Sequence, residues 1–198
     1  MIEVSSIPDS WKQVLETIQR QCPSAVIAGG ALRDLHFGKP VKDIDVFIAA
    51  GGIDEAEGLF KLLGGKPPKS RDYGLQDIDG QPAVYPESMR EVILVEDYPK
   101  KLNPTGIPVQ LIFVNWQTAS IIERFDMGIC RISFDGIQVK HDRWFTEASE
   151  EKVLNIVRCQ HKNALGASIG RYVRLLKKYP DFELRLCGVE VKDSDNES

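Results

Sequence analysis

"IAGGALRDLHFGKPVKDIDVFI", residues 27–48, sets a glycine pair ahead of a short basic segment and ends on two aspartates one residue apart. The apolar run before Gly29-Gly30 reads as a short buried strand, "ALRDLHFG" as a short helix closed by Gly38, and "DIDVFIA" as a strand with alternating faces. Residues two apart on a strand share a face, so Asp43 and Asp45 are expected to present both carboxylates to one surface while Ile44 and Val46 turn to the core. Two hard oxygen donors so placed suit Mg²⁺, which favours carboxylates together with substrate phosphates. A pair of such ions, roughly 3.5–4 Å apart, can serve the attacking and leaving oxygens of phosphoryl transfer. Gly29-Gly30 stands where a strand gives way to a helix, a place where backbone N–H groups are free and anions are favoured. Arg33, Lys39 and Lys42 add positive charge, and Asp34 reads as a group that orients an arginine or caps a turn rather than one that does chemistry. An Asp-x-Asp pair alone also fits a solvated edge strand, and a glycine pair fits any tight turn. Their combination points to phosphate chemistry.

The remaining composition is that of an ordinary globular chain of 198 residues, 42% hydrophobic and 27% charged. No apolar run reaches the length needed to cross a bilayer, and the N-terminus has no basic region leading into an apolar one; an intracellular, cytoplasmic protein is expected. Cys22, Cys130, Cys159 and Cys187 are scattered without zinc or redox spacing, as expected of reduced structural thiols. The net charge of -4 hides an asymmetry, because no acid occurs between Lys152 and Tyr179 whereas Lys152, Arg158, Lys162, Arg171, Arg174, Lys177 and Lys178 all do. That run reads either as a solvated face or as one that meets phosphate.

Along the chain, helices are expected from about Ser10 to Gln21, over "DEAEGLFKLLGG" and over "QTASIIERF". "REVILVE" and "IPVQLIFVN" read as a strand pair, and "GICRISFDGIQVKHD" as strand, turn and strand. Residues 65–90 read as a long excursion with weak periodicity. "SEEKVLNIV" and "SIGRYVRLLKKY" read as basic helices, with Leu175, Leu176 and Tyr179 buried against the core. His36, His141 and His161 make no ligand spacing, and Trp116 and Trp144 read as core or rim aromatics.

"GGALRDLHFGKPVKDIDVFI" closely resembles the signature of the tRNA nucleotidyltransferase and poly(A) polymerase branch of the DNA polymerase β-like superfamily: Gly-Gly-x-Val-Arg-Asp, two residues, Leu-Gly, then Asp-x-Asp. "RFDMGICRISFDG" is similar to the same branch's Arg-Arg-Asp element, with Arg124 and Asp126 on the outer positions, Phe125 in place of one arginine and Cys130 in place of a usual asparagine. The resemblance implies that Asp126, alone or with Arg124, recognises the ribose. The strand that would carry a third carboxylate reads "VQLIFV", with Gln110 at the natural position; Asp126, Glu91, Asp77 and Asp79 are the candidates to replace it. The base-reading Glu-Asp pair of the CCA-adding enzymes is replaced by Ala167 and Ser168, although Arg171 and Arg174 are suitably spaced on the helix that follows. The likeness covers about residues 25–140 well and 165–184 faintly, closest to small stand-alone relatives, some carried by bacteriophages.

The expected fold is therefore α/β (α+β): a minimal nucleotidyltransferase core with a mixed sheet and flanking helices over residues 1–148, a basic helical extension over 149–190, and a disordered tail over 191–198. The expected activity is transfer of a nucleoside monophosphate from an NTP to an acceptor hydroxyl, with RNA or a tRNA 3′ end favoured and a protein acceptor as the alternative. Asp43 and Asp45 would be catalytic and hold two Mg²⁺; Gly29, Gly30, Arg33, Lys42, Asp126, Arg171 and Arg174 would bind the nucleotide. The rival expectations are a catalytically inactive nucleotide-binding regulator and an RNA- or protein-binding partner using the Lys152–Lys178 face.

Overall fold

The computed structural model describes residues 2–66, 92–159 and 162–187. Trp11, Val14, Leu15 and Ile18, one apolar stripe at helical spacing, are all buried on α1, Asp9–Gln19. Pro8 rather than a side-chain acceptor stands at its start, so the helix begins with Asp9 as its first residue. β1 (Val26–Ala28) leads through Gly29 into α2 (Gly30–His36), then β2 (Ile44–Ala49) and α3 (Ile53–Leu62). The expected excursion falls mostly on residues outside those described. Beyond it come β3 (Val92–Asp97), β4 (Val109–Val114), α4 (Ile121–Arg124), β5 (Ile132–Phe134) and β6 (Val139–His141). The chain continues through α5 (Arg143–Glu151), β7 (Val153–Ile156), α6 (Lys162–Leu176) and β8 (Glu183–Leu186).

Among the described residues, six strands form a mixed sheet in the order β3-β4-β2-β1-β5-β6. β2 and β4 run parallel, and the other neighbours in that sheet run antiparallel. The strand pairs read from sequence at β3/β4 and β5/β6 both form. Ile44, Val46, Ile48, Leu111 and Phe113 fill a core on one face with α1 and α3. Phe47, Ile112 and Val114 fill a second core on the other face, closed by Leu175, Tyr179 and Phe182. Both faces of β2 are thus covered, which is why five of its six residues read as an almost continuous apolar run.

The extension departs from the all-helical expectation. α5 starts at Asp142, whose carboxylate accepts hydrogen bonds from the N–H groups of Trp144 and Phe145. It stops at Lys152, which adopts a left-handed conformation (φ 54°). "VLNI" then becomes β7, wholly buried and paired in parallel with β8. A short, fully buried apolar run has no face alternation, so its period cannot separate strand from helix. No helix among the described residues is long and apolar enough to cross a membrane.

Candidate active site

Gly29 takes a backbone conformation that side chains rarely adopt (φ 82°), and a Cβ there would lie 3.2 Å from the Phe125 ring. Phe125 is itself buried edge-on to Phe47 of β2, with ring centroids 5.9 Å apart. Phe125 is therefore the floor beneath the glycine turn. The Gly29 N–H is already committed to the Ile132 carbonyl at 2.9 Å. Any anion-binding capacity of the turn thus falls to the first N–H groups of α2, which no helix can satisfy internally.

Asp45 lies on β2, half-buried on the Phe47 face, and Asp43 lies just before the strand. Neither carboxylate has a hydrogen bond or ion pair with another described residue. Burial pushes the Asp45 carboxyl up to about 7; the negative charge of Asp43 adds to this, and Arg33 is near enough to pull it partly back. Two adjacent carboxylates short of positive charge fit a divalent cation by charge and by donor hardness. No group of three or more His, Cys, Asp or Glu able to hold a metal occurs among the described residues, so the pair would hold one with substrate oxygens completing the shell.

Register places Gln110 of β4 directly beside Asp45, and Asp97 of β3 directly beside Gln110. All three share one face of the sheet. Asp97 is exposed, and it is the described acid that sequence reading overlooked in favour of Asp126, Glu91, Asp77 and Asp79. Its signal is present in "VILVED" once the hairpin register with "VQLIFV" is known, and invisible without it. Glu91, Asp77 and Asp79 lie outside the described residues.

Arg33 and Asp34 are both buried. The Arg33 guanidinium contacts Asp34 at 2.7 Å and donates to the Tyr179 hydroxyl at 3.2 Å and the Cys130 sulfur at 3.3 Å. Burial opposes its charge, but Cys130, Asp34 and Tyr179 outweigh that and raise its pKa. Asp34 also accepts from the Tyr179 hydroxyl at 2.6 Å and pairs with the Lys178 ammonium at 2.5 Å. Asp34 does orient Arg33, and it also fastens the end of α6 to the core. Asp126 is buried too, bonded by Ser168 and paired with Arg171. Of the cations expected at the nucleotide, Arg33 and Arg171 thus carry protein carboxylates, whereas Lys42 and Arg174 are exposed. Arg171, Arg174 and Lys178 fall on one flank of α6 and its terminal turn, so Arg174 faces the same side as the contacts to Asp126 and Asp34.

His36 and Trp116 are packing groups. His36 meets Phe37 and Phe145, bonds the Ser149 hydroxyl at 2.7 Å, and is held below its ordinary pKa chiefly by burial. Trp116 is buried beneath the Arg124 guanidinium, 4.3 Å from its ring centroid. His161 lies outside the described residues. All four cysteines are free.

No protein-family model matches the sequence, and no curated protein matches it. Solved structures do. A CCA-adding enzyme bound to ATP superposes with a TM-score of 0.60 at 16% identity, over 92% of this chain and 40% of that one. The Bacillus stearothermophilus CCA-adding enzyme in complex with CTP gives 0.57 at 18% identity, over 90% and 42%. The Thermotoga maritima CCA-adding enzyme complexed with tRNA gives 0.54 at 16% identity, over 88% and 38%. The chain spans less than half the length of these enzymes. Over about nine-tenths of its own length it shares the fold of the CCA-adding nucleotidyltransferases.

Proposed function

We propose that this chain is a Mg²⁺-dependent nucleotidyltransferase that moves a nucleoside monophosphate from an NTP to an acceptor hydroxyl, an RNA or tRNA 3′ end being the favoured acceptor. The observation that carries the reading is the Asp43–Asp45 pair, two carboxylates in no ion pair with another described residue, set beside the Gly29 turn. Fold neighbours solved with ATP, CTP and tRNA support the choice of substrate classes.

Magnesium held by Asp43 and Asp45 would supply charge neutralisation at the phosphates and acidify the acceptor hydroxyl. The residues of the chain do the positioning. The first N–H groups of α2, from Gly30 onward, together with Lys42 and Arg174 would take the triphosphate; Gly29 sets the turn that aims them. Arg33 and the Asp126–Arg171 pair would form the walls against which the nucleoside rests. The acceptor oxygen bonds to the α-phosphorus as the bond to the β-phosphate oxygen breaks, and pyrophosphate leaves. Gln110 can orient the hydroxyl but cannot take its proton; Asp97, on the same sheet face, can. Catalysis on this plan is alignment and charge neutralisation.

Incubation with Mg²⁺ and each labelled NTP in cell extract should label an acceptor sensitive to RNase and resistant to protease. Asp43→Asn and Asp45→Asn should each lower labelling more than about a hundredfold, on the order of 3 kcal/mol of lost transition-state stabilisation. Undiminished labelling by the double variant would end the reading. Gln110, beside Asp45 where a carboxylate would serve better, is the observation that favours a second reading, a nucleotide-binding regulator. NTP binding without pyrophosphate release would select it.

A further inference from the structure

Lys39 and Lys177 are remote in sequence, yet one clasp brings their segments together. The Lys178 ammonium pairs with Asp34 at 2.5 Å and also donates to the Pro40 carbonyl at 2.6 Å. Lys39, one residue before Pro40, carries its ammonium 5.9 Å from the centre of the Tyr179 ring. Lys177 immediately precedes Lys178. Both side chains are exposed, and neither is paired with a carboxylate among the described residues. The buried centre below them holds two cations, Arg33 and Lys178, on one carboxylate, Asp34, and so adds positive charge of its own. No acid occurs from Phe37 to Lys42 or from Arg171 to Pro180; the acids that flank these segments are Asp43, at the proposed metal pair, and exposed Asp181.

We infer that this ridge, Lys39 and Lys177 joined over the Lys178–Asp34 clasp, is the track for the sugar-phosphate backbone of a single-stranded RNA acceptor. It rests on the reading of the chain as a nucleotidyltransferase. The loop that carries Lys39 runs through Lys42 straight into Asp43, so a strand lying along the ridge is led to the carboxylate pair. Exposed ammonium groups paired with no carboxylate among the described residues act as mobile point charges, which suits repeated phosphodiesters read without base preference. A fixed small anion would call for buried, pre-aimed donors instead.

The test is binding of the full chain to a fluorescent single-stranded RNA of about 12 nucleotides, without NTP, at several salt concentrations. Single-strand contacts change log K by about -0.7 per decade of salt for each phosphate, a factor of about 5 each near 0.1 M, so losing two should weaken binding roughly 25-fold. Lys39→Gln with Lys177→Gln should show that loss, flatten the salt slope by about 1.4 and leave NTP binding unchanged. Lys39→Arg with Lys177→Arg should restore both. RNA affinity and slope equal to the parent's would overturn the inference, as would failure of the parent to bind RNA. Tighter binding of a poly-glutamate peptide of equal charge would assign the ridge to an acidic protein and overturn it as well. Pyrophosphate release with no RNA binding defeats the track and spares the activity; ridge-dependent RNA binding without nucleotide transfer does the reverse.

Discussion

Asp45 is ionised in the unfolded chain above about pH 4, whereas in the folded chain its carboxyl holds its proton to about pH 7. Between those values the folded state binds the proton more tightly, so stability falls as pH rises through that window, by up to about 4 kcal/mol, and stays lowered above it. Asp45→Asn removes the cost. In metal-free buffer at pH 8 its melting temperature should exceed the parent's by about 3–10 °C, and the difference should shrink toward pH 4. Magnesium should raise the melting temperature of the parent and leave that of the variant unmoved, a readout independent of catalysis. Gly29→Ala tests the turn. Positive φ together with the Phe125 ring at 3.2 Å should cost about 1–3 kcal/mol, seen as a lower urea midpoint. Asp43, Asp45 and the glycine pair were legible in the sequence because their message lies within one 22-residue stretch. Phe125 and Asp97 were not, since one depends on a ring reaching Gly29 across the fold and the other on strand register.

At the scale of elements, α6 is held to the core by two buried carboxylates, Asp126 through Arg171 and Asp34 through Lys178 and Tyr179. Deleting one partner of a buried ionic network leaves the others unpaired, typically at about 3–5 kcal/mol. Asp34→Ala should therefore lower stability by that order and speed amide exchange over residues 171–182. Lys178→Met, which keeps the stem and Tyr179, should do so far less. The helical pattern of α6 was readable, including the burial of Leu175 and Tyr179. What its arginine and lysine spacing could not tell is that two of the cations are already engaged with acids more than 40 residues away. The same limit hid β7, whose partner β8 lies beyond the intervening helix.

For the whole molecule, the sheet separates two cores, with the proposed site on the side of Phe47 and the scaffold of α1 and α3 on the side of Phe113. Truncating either fully buried ring to alanine should destabilise by about 3–5 kcal/mol. Only Phe47→Ala, which removes the support of Phe125 beneath the glycine turn, should also weaken NTP binding, as calorimetry at a temperature where both variants stay folded would show. Fold class followed from the order of the elements, and among the described residues that order produced a mixed six-stranded sheet flanked by helices. The clasp at Asp34 has a further consequence for how the protein is made. Tyr179 and Lys178 reach Asp34 across 145 and 144 residues of chain. On the ribosome, Arg33 and Asp34 emerge long before either of those groups exists. A nascent chain therefore cannot close the Asp34 clasp until translation has passed Tyr179, and the buried Arg33–Asp34 pair waits for its last two partners until then.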